Sequence, residues 1–238
     1  YTMSTQWNQR YGTKGPLEKQ PSQDIREERI SPYDNPEFFE KYSGMERSQK
    51  GLEGAGEWHE LEKLLPDFHG LRVLDLGCGY GWHCRYAEEH GAEFVLGVDL
   101  SDKMLEKARS LQREGSCVQY EKGSIEDYCC PAESFDVVLS SLALHYVKDI
   151  VSVFSSIYKA LRPGGRLVFS IEHPVFTACS LPAQDWFRGP EGEILHWPVD
   201  RYFSEGKRDT FFLGEPVRKY HHTLTTCLRG VLQAGFRI

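Results

Sequence analysis

The stretch Val73-Leu74-Asp75-Leu76-Gly77-Cys78-Gly79-Tyr80-Gly81 decides the fold. A short apolar run stops at a glycine-rich turn, and the residues after it, roughly Gly81–His90, carry helical spacing. Glycine lets backbone come close to a ligand because no Cβ stands in the way. In an open parallel sheet, ligands bind outside the carboxyl ends of the strands. The next apolar run, Phe94 to Leu100, holds an acid at its end: Asp99, 22 positions after Gly77. That spacing suits a carboxylate accepting hydrogen bonds from ribose hydroxyls.

Working outward, Val118–Tyr120, Phe135–Leu144 and Arg166–Ile171 supply three more strand-like runs, with helical segments near Ser101–Glu114 and Asp149–Leu161 between them. Strands alternating with helices of that length indicate βαβ units and a parallel sheet. Ser101 reads as a helix cap, and Pro163-Gly164-Gly165 as a turn back into the sheet. Residues 1–30 are polar, lack an apolar period and read as a disordered tail. Residues 31–66 read as a helical cap and 67–172 as the cofactor-binding core. Residues 173–219 hold Trp186, Phe187, Trp197, Tyr202, Phe203, Phe211 and Phe212 among Pro174, Pro182, Pro190 and Pro198, and read as an irregular lid. Residues 220–238 read as a last helix, about Thr223–Ala234, followed by the start of a strand at Phe236.

Composition bounds the function. The chain has 238 residues, with 28 Lys and Arg against 35 Asp and Glu, a formal charge of −7. That balance argues against a nucleic-acid partner held by counterion release. No apolar run is long enough to span a membrane, and no signal peptide is visible, so the expected location is the cytoplasm. Seven cysteines without a Cys-x-x-Cys pair indicate reduced thiols and no zinc knuckle. Asp185, Glu191 and Glu193 lack paired-ligand spacing, so no metal is expected.

A dinucleotide site expects Gly-x-Gly-x-x-Gly, whereas this turn is Gly-x-Gly-x-Gly with Trp at position 82. Instead, Leu74 to Gly81 resembles the first motif of the class I S-adenosylmethionine-dependent methyltransferases. The resemblance continues through Gly97-Val98-Asp99-Leu100-Ser101, Met104-Leu105, Phe135-Asp136-Val137-Val138 and Leu161-Arg162-Pro163-Gly164-Gly165-Arg166-Leu167. It covers roughly residues 50–172 and leans toward the quinone- and natural-product-biosynthesis branch, the type 11 methyltransferase domains.

The resemblance implies a Rossmann-like doubly wound sheet, α/β in class, with helices on both faces, and S-adenosylmethionine as cofactor. Gly77, Cys78 and Gly79 would line the methionine tail, and Asp99 would hold the ribose. Leu100 and Met104 would pack around ribose and adenine, with Ser124, Ile125 and Glu126 bordering the adenine; the family often has Asp where Ser124 stands. Ser140 and Ser141 would face the tail, and Tyr42 and Arg47 its carboxylate, for which Arg offers a fork of two parallel bonds. His145, His173 and His221 are the candidate bases near the acceptor, histidine being the natural proton acceptor near neutral pH.

The implied reaction is in-line methyl transfer to a small-molecule oxygen, nitrogen or carbon. A non-catalytic module binding S-adenosylmethionine or its demethylated product would keep the same turn and Asp99, and a protein methyltransferase is a further alternative. The family resemblance also implies a seven-stranded sheet. Either strands follow Ile238, or the Lys219–Thr223 region supplies an edge strand instead.

Overall fold

The computed structural model describes residues 31–179 and 186–238. The expected disordered tail 1–30, and Pro182 and Asp185 in the lid, lie outside the described residues.

Five strands form the central sheet: β1 (Arg72–Leu76), β2 (Phe94–Asp99), β3 (Val118–Lys122), β4 (Phe135–Ser141) and β5 (Leu161–Ser170). Their order is β3-β2-β1-β4-β5, and every pair is parallel. Sheet order therefore reverses between β1 and β4, the switch point at which such sheets open a crevice at their carboxyl edge. β1 is buried from Val73 to Leu76, Asp75 included, because both faces are covered. Val73 packs with Val95, Val118 and Val137 on one face, and Leu74 and Leu76 with Val98, Val138 and Phe154 on the other.

Helices are α1 (Pro36–Ser43), α2 (Glu46–Lys50), α3 (Trp58–Leu61), α4 (Trp82–Glu89), α5 (Asp102–Ser110), α6 (Ile150–Ala160), α7 (Pro174–Thr177) and α8 (Leu224–Ala234). Their starts follow local capping chemistry. Asn35 accepts from the N–H groups of Glu37 and Phe38 with Pro36 in the first turn, and Ser101 accepts from Met104 N–H as expected. Asp149 and Thr223 cap α6 and α8 in the same way, and Gly235 ends α8 in the left-handed region.

Two expectations about the late chain fail. Phe236–Ile238 forms no strand; Phe236 turns its ring edge onto Tyr158 instead. Lys219–His221 adds nothing to the edge of the sheet. It belongs to β9 (Glu215–His221), paired antiparallel with β8 (Gly206–Phe212) as a separate hairpin closed by Leu213-Gly214, both at positive φ. A second small hairpin joins β6 (Phe187–Arg188) to β7 (Ile194–His196).

The β8–β9 hairpin is inverted in character. Arg208 lies opposite Lys219 and both are buried, as are Val217 and His221. Like charges directly opposite one another destabilise a hairpin unless each is neutralised elsewhere. The Arg208 guanidinium donates to the carbonyls of Ala178, Ser204, Gly206 and Lys207, and Lys219 pairs with Glu172 beyond β5. The hairpin tip meets α1 through Lys41–Glu215 at 2.7 Å and the ring pair Phe38–Phe212. Cap and hairpin are thus joined to each other.

Candidate active site

Above β1 the chain turns through Gly77, Gly79 and Gly81, all at positive φ. Gly81 has a packing reason as well, because a Cβ there would meet the Tyr120 hydroxyl at 2.2 Å. A Cβ on Gly79 would meet nothing within 4 Å, so the turn has open room above it.

Four N–H groups of the turn are engaged inside the protein. Gly77 and Cys78 both donate to Val98 O, Gly81 donates to Cys78 O, and Gly79 donates to Asp99 Oδ2 at 2.8 Å. A pyrophosphate site needs such N–H groups free to point at the anion. Gly77, Cys78, Gly79 and Gly81 do not offer them, which is in keeping with the glycine spacing against a dinucleotide. Beneath the turn, Asp75 is buried. Its Oδ2 accepts from the Cys84 thiol, its Oδ1 has no partner, and burial pushes its carboxyl up to about 7. The open room over Gly79, beside the Asp99 carboxylate and with the Gly79 N–H already engaged, fits a ligand that carries a ribose and no pyrophosphate.

Asp99 closes β2 beside the turn. Oδ1 accepts from Ser101 N–H at 2.9 Å and Oδ2 from Gly79 N–H, which fixes the plane of the carboxylate. Burial raises its pKa and outweighs the two backbone donors, and the nearby Asp34 charge adds to the rise. Asp34 is a residue the sequence reading did not reach. It accepts from Ser101 Oγ at 2.6 Å and from Lys103 N–H at 3.2 Å, docking the segment before α1 onto the start of α5.

The other expected residues gather at the same end of the sheet. Met104 is buried and Leu100 half-buried beside Asp99. Ile125 comes within 3.5 Å of a Cβ placed on Gly77. Ser124 caps a turn in which Asp127 and Tyr128 N–H donate back to its carbonyl, and Glu126 accepts from Lys148 N–H. Tyr42 packs edge-on against Tyr80 and Tyr33, close enough to feel the charges of both Arg47 and Asp99. Ser140 is turned inward: its hydroxyl is buried and donates to Leu76 O, pinning β4 to the end of β1. Ser141 faces the cap, donating to Glu57 Oε1 and sharing a hydrogen bond with Ser170. Arg47 reaches the same carboxylate, its Nη2 lying 2.5 Å from Glu57 Oε1. Leu142 follows at a φ of 52°, a conformation L residues adopt at a cost of about 1–2 kcal/mol. Strain of that kind is held in place by surrounding structure, here Leu142 N–H donating to Ser170.

The three histidines differ. His145, just past β4, is 3 % exposed; burial drives its pKa down to about 4, so it is neutral near pH 7. Its Nδ1 has no partner, and Nε2 lies 3.9 Å from Glu172. His173 accepts from Val175 N–H and starts α7. His221 is fully buried with both ring nitrogens engaged, one with Thr177 Oγ1 and the other with Tyr202 O. A cavity of about 50 Å³ adjoins this group, lined by Glu172, Phe176, Thr177, Cys179, Arg208, Thr210 and Lys219.

Comparison with known proteins gives the same class. A family model described as a methyltransferase domain matches residues 74–169. An S-adenosylmethionine-dependent methyltransferase of Mesorhizobium loti is 47% identical, with a TM-score of 0.73 over 79% of this chain and 84% of that one. A Listeria monocytogenes structure, provisionally assigned to the same enzymes, is 52% identical, with a TM-score of 0.72 over 77% of this chain and 85% of that one. A Haemophilus influenzae protein of uncharacterised function is 35% identical over 88% of this chain and 84% of its own length. Relatives with named acceptors match over less. They include a malonyl-[acyl-carrier protein] O-methyltransferase of Enterobacter lignolyticus, 37% identical over 51% of this chain, and a tRNA U34 carboxymethyltransferase of Hahella chejuensis, 32% identical over 68%. This chain spans 45% of the length of each. The chain belongs to the class I S-adenosylmethionine-dependent methyltransferases. It is an enzyme of that family, and S-adenosylmethionine is its cofactor.

Proposed function

We propose that the enzyme methylates a small-molecule oxygen, nitrogen or carbon by in-line displacement. The observation that carries this reading is the enclosed end of the crevice past β4 and β5, where the buried His145 lies 3.9 Å from Glu172. Glu172 pairs with Lys219 and lines a small cavity of about 50 Å³ bounded by α7 and the β8–β9 hairpin. Pockets that enclose most of a ligand with a few placed polar groups suit small molecules. The charge of −7 adds to the case against a nucleic-acid acceptor. No helix among the described residues is long and apolar enough to cross a membrane, and we place the enzyme in the cytoplasm.

S-adenosylmethionine supplies a methyl group on a sulfonium, already activated for displacement. The chain's own part is to bind, orient and exclude water. Asp99 takes the ribose hydroxyls, with Leu100 and Met104 beside them, and Ser124, Ile125 and Glu126 border the adenine. Gly77, Cys78 and Gly79 pass under the methionine tail, and Ser140 holds the crevice edge that Ser141 faces. Tyr42 and Arg47 close over the tail from the cap. Holding nucleophile and methyl in near-attack geometry can supply ~7–11 kcal/mol.

Where the acceptor must lose a proton, His145 suits the task best of the three histidines, because it is neutral near pH 7 and sits beside Glu172. His173 and His221 shape the lid that presents the acceptor. The test is to incubate the enzyme with methyl-deuterated S-adenosylmethionine in a cell extract and follow the label by mass spectrometry. Label in compounds below about 1 kDa is the expected outcome; label confined to RNA or protein would overturn the reading.

A further inference from the structure

Glu57 is a carboxylate at the switch-point crevice that ties the cap to the sheet. Glu57 lies at the end of the Gly54-Ala55-Gly56 turn before α3, and its Oε1 accepts from two elements at once. Arg47 of α2 donates from Nη2, and Ser141 at the carboxyl end of β4 donates from Oγ at 3.1 Å. β4 neighbours β1 in the sheet, with Leu139 level with Asp75, so Ser141 stands level with Gly77. Glu57 and Arg47 are thus a charge pair tied to the end of β4, the strand next to the one that enters the glycine turn, each side chain about a quarter exposed. Burial alone would raise the Glu57 pKa, but its own backbone N–H, Arg47 and Ser141 reverse that and hold the carboxyl below its ordinary range.

The amino-acid tail of the cofactor is a zwitterion, and each of its ends needs a partner. The turn cannot bind the tail carboxylate through Gly77, Cys78, Gly79 or Gly81, whose N–H groups are engaged within the protein. Arg47 can do it, having a five-donor fork of which Glu57 takes only one nitrogen. An anionic acceptor gives the tail ammonium its strongest hydrogen bond. Asp75 is sealed under the turn, whereas Glu57 is ionised, reachable and oriented by Ser141. Arg47 also borders an open groove of about 360 Å³ with Met45 and the Gly54–Gly56 turn, so the pair is not closed off from solvent.

We propose that Arg47 and Glu57 form a paired clamp for the cofactor's amino-acid tail, Glu57 accepting from the ammonium and Arg47 donating to the carboxylate. Without ligand the two satisfy each other; with ligand the tail inserts as a second ion pair antiparallel to the first. Glu57 is therefore a positioning residue. It fixes where the tail sits, and through the tail the direction in which the methyl points.

The test compares two probes by calorimetry: S-adenosylhomocysteine, which carries the tail, and 5′-methylthioadenosine, which keeps ribose, adenine and sulfur but has no tail. Glu57→Gln preserves shape and removes the charge. It should weaken S-adenosylhomocysteine roughly tenfold or more, the size expected for losing a charge-assisted hydrogen bond, and leave methylthioadenosine within about twofold. Arg47→Met should show the same split. Methylthioadenosine binding doubles as the check that each variant is folded. If Glu57→Gln weakens both probes alike, the residue is a structural strap; if it weakens neither, it does not touch the tail; either result overturns the clamp. Wild-type protein that binds neither probe would overturn the cofactor assignment itself.

Discussion

Asp99→Asn is the substitution whose outcome the site geometry fixes most tightly. The carboxylate accepts one backbone N–H on each oxygen, Ser101 at 2.9 Å and Gly79 at 2.8 Å. An amide can accept on only one side. Whichever way it flips, an NH₂ faces a backbone N–H, leaving a buried donor unpaired at a cost of ~1–3 kcal/mol. For a chain of this size each kcal/mol lowers Tm by about 2–4 °C, so a drop of roughly 2–12 °C is expected. Ligand affinity falls further, because the ribose hydroxyls lose a charged acceptor worth ~1.5–3 kcal/mol, or about 10–150-fold in Kd.

The same variant changes the pH dependence. The Asp99 pKa is raised, chiefly by burial, so the carboxylate is lost on acidification earlier than an ordinary one. Wild-type affinity for S-adenosylhomocysteine should therefore weaken as pH falls into that raised range, while Asp99→Asn, which cannot titrate, should be flat across it. Calorimetry at stepped pH checks both parts. A variant that binds within twofold of wild type, with the wild-type pH profile, would refute the assignment of Asp99 to the ribose.

Other outcomes follow from burial and packing. His145 has a folded pKa of about 4 against an ordinary 6.5. The folded state then holds fewer protons than the unfolded one in that window, so the stability this residue permits is full above about pH 6.5 and is lost as pH falls toward 4. The stability lead of wild type over His145→Leu should shrink by roughly 3 kcal/mol across that span in urea melts; a constant lead would contradict the buried, neutral state. Gly81→Ala should destabilise by about 2–5 kcal/mol, combining left-handed strain with overpacking against Tyr120. Gly115→Ala, at positive φ but with no neighbour within 4 Å, should cost only the strain, about 1–2 kcal/mol. Equal melting shifts for the two glycines would show that Tyr120 does not fill the space below the turn.

The sheet was legible because its strands are buried on both faces, so Val73, Leu74 and Leu76 in one run and Val95, Leu96 and Val98 in another leave only Asp75 and Gly97 outside the apolar pattern. The turn and Asp99 were legible because their chemistry is local: glycines where φ is positive, and an acid one strand further on. The β8–β9 hairpin was not, since its inward face alternates Arg208, Thr210, Val217, Lys219 and His221, a pattern that reads as solvent-exposed. Only the tertiary partners, Glu172 and a set of loop carbonyls, make burial of those cations tolerable. Asp34 and Glu57 escaped for a related reason. Each sits in a short turn with no periodicity and gains its role across 67 residues to Ser101, or 84 to Ser141. Ser140 and Ser141 are adjacent and chemically alike, yet the strand's alternation sends one hydroxyl to Leu76 O and the other toward the cap.

The central claim is that this glycine turn and Asp99 hold S-adenosylmethionine and not a dinucleotide. Parallel calorimetric titration of the wild-type protein with S-adenosylhomocysteine and with NAD tests it most directly. The account predicts one saturable site for S-adenosylhomocysteine and no binding heat for NAD; saturable binding of NAD with none for S-adenosylhomocysteine would contradict it.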